Sequence, residues 1–365
     1  MTFSISQTVC SGDRRNQYSL FPSQISKEIS LPPLLRHRRP QLTMEDQTSF
    51  QFGVEIELLI GSRKKTHGNW KSLAKDLSKR LQKAGISNHV NEGNDKSHDN
   101  YREWSIVQEV TIPSQPAKSL FGLELVSPVY PVYSYWAADL ETIFTVLHSS
   151  FTLLPSPNCS THVHISAAPS PFSPLELAAL SKAILYHETA LDRVFPPTRR
   201  SSTSYWCQSN RSNPALSLAP LADCISALDA AAAANDSRRV VELMNLFPAA
   251  SAYGRAHGKK RDFVRGKVYK WDLTGALVPG RGDVEFRQAP GSVAAGEAVG
   301  WVTLAVAFVA GAVGRAGLVL GAEGGVAEDG AGVEELWELL GAGAAAVGWE
   351  GLGGVEALFE GGSGS

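Results

Sequence analysis

The sequence predicts an α+β fold, a sheet with one charged, concave face and helices packed on its back. Three observations lead there. Strand-like and helix-like periods interleave between about residues 49 and 315. Several strands carry acids, histidines or an arginine on one face and apolar residues on the other. An uncharged stretch from Ala298 to Gly314 supplies a helix apolar enough to lie behind that sheet.

Taken in order, residues 50–60 alternate as a strand closed by Gly61 and Ser62. Asn69 caps a helix to about Ala84, with Trp70, Leu73, Leu77 and Leu81 on one face and Gly85 as the stop. Strands follow at 104–112 and 123–129, a helix at 135–147, and a strand at 161–166 bounded by Pro155, Pro157 and Pro169. Ser173, Pro174 and Glu176 make a capping box with proline at the first helical position, opening a helix to about Val194. Residues 197–205 read as a polar, basic loop, and an alanine-rich helix covers 221–246. Strands at 268–273 and 283–288 complete the sheet, with the apolar helix at 293–313 behind the last of them.

The chain has 365 residues, 43% hydrophobic and 19% charged, which is globular composition. With 34 Lys+Arg against 36 Asp+Glu it lacks the basic footprint of a dedicated nucleic-acid binder. Cys10, Cys159, Cys207 and Cys224 form no CxxC pair and no disulfide framework, which points to a reducing, cytoplasmic setting. The 17 residues from Ala298 to Gly314 fall short of a membrane span, and Arg14 and Arg15 are not followed by an apolar signal region. No membrane partner is therefore expected. Residues 1–48 hold six Arg or Lys among Ser, Gln and Pro and read as a disordered leader. Residues 49–315 are expected to form one folded domain, and 316–365 a Gly/Ala/Glu-rich low-complexity tail. Every charge after Arg315 is acidic, and the glycine there is expected to weaken packing of short helices such as the one at 333–340.

Residues two apart on a strand point the same way, so Glu55 and Glu57 share a face opposite Val54, Ile56 and Leu58. Glu109 and Glu124 stand alone in apolar strands. His162 and His164 repeat the alternation, and so do Asp283, Glu285 and Arg287. Each motif has an ordinary reading: a solvated strand face, a pair of surface histidines, a cross-strand ion pair. Their repetition on successive strands instead describes a face built to hold cations and polyanions. GxxxxGK[ST] and GxGxxG loops are absent, so a nucleotide would be held by side chains and divalent metal. The absence of HExxH and GxSxG lowers the odds of a zincin or a serine hydrolase.

Five segments, in order, resemble the amidoligase family. They are Phe52-Gly-Val-Glu-Ile-Glu-Leu58, Gly122-Leu-Glu-Leu-Val-Ser-Pro128, Cys159-Ser-Thr-His-Val-His164, Tyr186-His-Glu188 with Pro197-Thr-Arg-Arg200, and Val284-Glu-Phe-Arg-Gln-Ala-Pro-Gly-Ser292. The family belongs to the carboxylate-amine ligase superfamily of glutamine synthetase and glutamate-cysteine ligase. The resemblance spans roughly residues 50–313. It implies a curved, mainly antiparallel, glutamine-synthetase-like sheet and an ATP-dependent ligase working through an acyl phosphate. By that resemblance Glu57, Glu109 and Glu124 would hold one Mg²⁺, and Glu55, His162 and Glu285 another. His164 would contact phosphate and Arg287 the transferring phosphoryl group, with Arg199 and Arg200 further contacts to phosphate or substrate carboxylate. The implied partners are small-molecule or peptide carboxylates and amines, chosen by loops at 86–103, 197–220 and 248–266.

Ser160 and Thr161, Asp272 and Ala289 depart from the family's usual pattern. A noncatalytic nucleotide- or peptide-binding protein of the same fold, and a metal-dependent hydrolase, are the competing readings. Intact Glu55, Glu57, His162, Glu285 and Arg287 favour the ligase.

Overall fold

The computed structural model describes residues 49–93, 95, 101–200, 207–248, 255, 263–265, 268–316 and 327–362. The expected leader, and part of the loops at 86–103, 197–220 and 248–266, lie outside them. The sheet is organised around β1 (Ser49–Ser62), whose alternation buries Phe50, Phe52, Val54, Ile56, Leu58 and Ile60 on the helix side. Beside it run β4 (Phe121–Val126) and β7 (Thr161–Ala168), both antiparallel to it. Beyond β4 lie β3 (Trp104–Gln108) and the parallel edge strand β2 (Asn88–Val90). Beyond β7 lie β11 (Asp283–Phe286) and β10 (Trp271–Asp272). The short β5 (Tyr130–Pro131) and β6 (Phe151–Leu154) also pair with β1. This is a mixed, mostly antiparallel open sheet, and its mainly antiparallel pairing is what the resemblance implies.

The helices follow their punctuation. Asn69 caps α1 (Trp70–Lys83) by accepting the Ser72 N–H at 2.9 Å, and Leu73, Leu77 and Leu81 are buried as expected. α2 (Trp136–Ser150) leads into β6. α3 (Pro174–Asp192) opens with the capping box in place, Ser173 N donating to Glu176 Oε2 at 2.7 Å. A four-residue helix, α4 (Pro197–Arg200), begins where the basic loop is expected. The alanine-rich segment is two helices, α5 (Leu221–Ala233) and α6 (Ser237–Asn245), not one. Asn235 adopts a left-handed φ of 55° and Asp236 caps α6 by accepting the Arg239 N–H, so the backbone cannot continue straight. Separately, β8 (Leu246–Pro248) and β9 (Phe263–Arg265) pair as a two-stranded ribbon.

The apolar segment forms α7 (Ala295–Gly314) against β7, β1, α2 and α3, with Phe308 packed on Trp271 at 5.2 Å between ring centroids. Among the described residues it is the one helix long and apolar enough to cross a membrane, and it lies largely buried within the protein. The glycine-rich tail packs tightly onto it through α8 (Val333–Ala346) and α9 (Val355–Gly362), contrary to the expected weak packing. Glycine is what makes the contact possible. A Cβ on Gly343 would lie 1.8 Å from Ala307 O, and one on Gly311 2.2 Å from Leu339 O. The close crossing buries Leu336, Leu339 and Leu340, each contributing roughly 1.5–3 kcal/mol.

Candidate active site

Because β1, β4, β7 and β11 are neighbours in one sheet, their register decides which polar side chains meet. Glu57 stands opposite Glu124 on β4, Glu55 opposite His162 on β7, and His164 opposite Glu285 on β11. All line one cavity of about 400 Å³ together with Glu109, Thr198, Arg199, Arg281 and Arg287. Gly122 lets the chain after β3 close over β4, since a Cβ there would meet Glu109 O at 2.5 Å. That approach brings Glu109 and Thr111 to the cavity.

Two overlapping sets of ligand atoms result, each with its atoms within 4.8 Å of one another: Glu55, His162 and Glu285, and Glu57, Glu124 and His162. The first is the trio expected from the resemblance. In the second, His162 takes the place expected of Glu109. Glu109 lines the cavity, but its Oε1 accepts the Thr111 N–H at 2.7 Å and it belongs to neither set. His162 Nδ1 lies 3.4 Å from Glu55, 3.7 Å from Glu285 and 4.0 Å from Glu57. Burial, with Arg287 close by, pulls its pKa down against the pull of Glu55 and Glu285, leaving a neutral ring with a lone pair to offer.

Glu57 is 7% exposed and accepts the Ser160 N–H at 2.7 Å. Burial and the neighbouring Glu109 charge push its carboxyl up to about 8 despite that bond. Burial also works against the Glu55 charge, but His164 and His162 hold that carboxylate well below the usual range. The site is therefore polar along the sheet. Glu57, Glu109 and Glu124 occupy the β1, β3 and β4 side. His164, Arg281 and Arg287 occupy the β7 and β11 side, where Arg287 pairs with Glu285.

Arg281, which periodicity does not single out, sits in the turn before β11. Its Nη2 donates to Asp283 Oδ2 at 3.0 Å, and its Nε makes an ion pair with Asp283 Oδ1 at 2.8 Å. Its only signal is the pair of flanking glycines, Gly280 and Gly282, both at positive φ. Arg200 does not line the cavity; its Nε donates to Phe195 O and its own carbonyl accepts from Lys270. Arg199 does line it, but its guanidinium is engaged by Ser160 Oγ, Cys207 Sγ and the carbonyls of Pro157, Cys159 and Ala289. Of the long-helix candidates, Glu188 bonds Lys270 and Ser209, and His187 is buried between Tyr186 and Phe308, away from the cavity.

The donor chemistry suits a hard divalent cation, since carboxylate oxygens with one imidazole match Mg²⁺ or Mn²⁺. Among the described residues that line the cavity, two buried atoms lack a hydrogen-bond partner: Arg287 Nε, and His164 Nε2 with Glu55 Oε1 3.4 Å away. Residues 48–309 match a family model described as a putative amidoligase enzyme. No curated protein matches the chain in sequence.

Proposed function

The chain belongs to the amidoligase family, and from that membership and the geometry of its cavity we propose that it is an ATP-dependent carboxylate-amine ligase with a glutamine-synthetase-like sheet. One observation carries the reading: two cation-ligand sets sharing His162 lie beside a cationic end made by His164, Arg281 and Arg287. A carboxylate oxygen of the substrate attacks the γ-phosphorus of ATP, and ADP leaves with the electrons of the broken P–O bond. An amine then adds to the resulting acyl phosphate, loses a proton and expels phosphate, giving the amide. The steps demand charge neutralisation and positioning more than covalent help from the protein.

Glu55, Glu57, Glu124, His162 and Glu285 would hold Mg²⁺, which when bound screens phosphate charge. Glu109, on the side of Glu57 and Glu124, faces the acyl-acceptor end with its second oxygen, or with both once it releases Thr111. Charged His164 contacts phosphate, and Arg287 swings from Glu285 toward the γ-phosphoryl group as charge spreads over its oxygens.

The test is calorimetric titration of the full chain with a nonhydrolysable ATP analogue, with and without Mg²⁺, repeated on Glu285→Ala and Arg287→Ala. Mg²⁺-dependent binding weakened in both variants, followed by ADP release that requires both an amine and a carboxylate, is the expected result. Binding without turnover across a broad substrate screen favours the noncatalytic reading. A folded protein that binds no nucleotide under any condition overturns the proposal.

A further inference from the structure

We propose that Arg199 is a positioning residue that fixes Glu57 for cation binding, and not a contact to phosphate or substrate. The inference rests on the metal-binding reading of this face. A guanidinium has five N–H donors, four of them on its two terminal nitrogens. In Arg199 those nitrogens face five neutral acceptors: Nη1 reaches Ser160 Oγ at 3.0 Å, Ala289 O at 3.3 Å and Cys207 Sγ at 3.4 Å, and Nη2 reaches Cys159 O at 2.7 Å and Pro157 O at 3.3 Å. The paired edge that would grip an anion is thus already in use.

Three of the five bonds converge on the turn from Pro157 to Ser160 that feeds β7. Ser160 then makes the connection to the cavity, because its N–H donates to Glu57 Oε2 at 2.7 Å and its carbonyl accepts the Glu57 N–H at 3.0 Å. The far end of Arg199 is anchored as firmly. A four-residue helix cannot hold its own shape, but Gln288 Nε2 donates to Arg199 O at 3.0 Å and Lys270 Nζ to Arg200 O at 3.2 Å. A buried arginine, 6% exposed, thereby ties α4, the β7 turn and the segment after β11 to one metal-binding carboxylate.

The test is Mn²⁺ titration of the full chain followed by electron paramagnetic resonance, with no nucleotide present, on the wild type, Arg199→Met and Arg199→Lys. Binding of inorganic tripolyphosphate to the Mn²⁺-saturated proteins is measured beside it. Arg199→Met is expected to weaken Mn²⁺ binding about tenfold or more and to change the spectrum of the bound ion, as loss of a partner that orients a ligand does. Arg199→Lys recovers part of the loss, and tripolyphosphate affinity at saturating Mn²⁺ stays at the wild-type level. Unchanged Mn²⁺ affinity with weakened tripolyphosphate binding overturns the proposal and makes Arg199 an anion contact. If Arg199→Met does not fold, Arg199→Lys decides alone, and Mn²⁺ affinity equal to wild type overturns the proposal. A wild type that binds no Mn²⁺ is a separate outcome, which sinks the metal-binding reading itself.

Discussion

His164 Nδ1 lies 2.7 Å from Asp283 Oδ2, and Arg281 Nη2 reaches the same oxygen at 3.0 Å while lying 3.2 Å from that Nδ1. Burial alone would discharge this imidazole, but Glu285, Glu55 and Asp283 together outweigh it and push its pKa up to about 10. The folded value lies above the ordinary 6.5, so the stabilisation is complete below 6.5 and lost as pH rises through about 10. Imidazole resonances of the metal-free protein should report a charged His164 at pH 8. Asp283→Asn should lower its titration midpoint, and an unshifted midpoint would contradict the pairing.

Glu57 predicts a proton coupled to the cation. Its carboxyl, pushed up to about 8 from 4.5, is mostly protonated at pH 7 in the metal-free protein. The folded state then holds more protons than the unfolded chain between 4.5 and 8, so stability falls as pH rises through that window. Mg²⁺ must displace the proton to use both oxygens. Calorimetry at pH 7 in buffers of different ionisation enthalpy should record proton release on Mg²⁺ binding, largely lost in Glu57→Gln.

His187 predicts the acid limb. It is 2% exposed, its Nδ1 has no hydrogen-bond partner among the described residues, and burial pushes it down to about 4. The unfolded chain therefore binds the extra proton between about 4 and 6.5, and stability is lost as pH falls through that window. His187→Leu should flatten thermal stability against pH over this range, by on the order of 2–3 kcal/mol at its acid end.

The helix crossing predicts opposite signs for two nearby glycines. Gly343→Ala drives a methyl into Ala307 O and should destabilise by roughly 1–3 kcal/mol or more, as overpacking does. Gly341, in the same helix, has nothing within 4 Å of its virtual Cβ. Gly341→Ala should stabilise by up to about 1 kcal/mol through helix propensity. Urea denaturation of the two variants separates them.

Lys270 predicts a charge cluster that fails when broken from one side. Its ammonium lies 2.5 Å from Glu188 and 2.7 Å from Asp192, and Lys270 is 2% exposed. Lys270→Met should cost on the order of 3 kcal/mol by leaving two carboxylates facing each other. Adding Asp192→Asn should return part of that loss, and a double-mutant cycle with no coupling would refute the pairing.

What the sequence made legible follows from strand geometry. Alternation at Glu55 and Glu57, at His162 and His164, and at Asp283 to Arg287 puts each set on one face of its own strand, and the apolar residues between them turn those faces away from the helices. That His162 also comes within ligand distance of Glu57 and Glu124 was not legible, because it depends on which strands are neighbours. Arg199 and Arg200 look equivalent in sequence, but successive helical residues diverge by about 100°, so only one lines the cavity. Strands as short as Tyr130–Pro131 carry too few residues to display a period. The break at Asn235 and Asp236 was written in cap chemistry but obscured by the alanines around it. Glycine in the tail was counted by propensity, which does not register that a facing helix needs the space.

The order of synthesis gives α7 and its cover a consequence of its own. α7 leaves the ribosome before α8 exists, and at about 5–20 residues per second its twenty apolar-rich residues wait for a few seconds before Leu336, Leu339 and Leu340 can shield them. During that interval the nascent chain presents what a membrane-insertion machine or a chaperone is built to bind. The earlier β7, β1, α2 and α3 cover one side of α7, but the side facing α8 and α9 is hidden only when the glycine-rich segment has emerged, so those two helices act as the built-in escort of that side of the core.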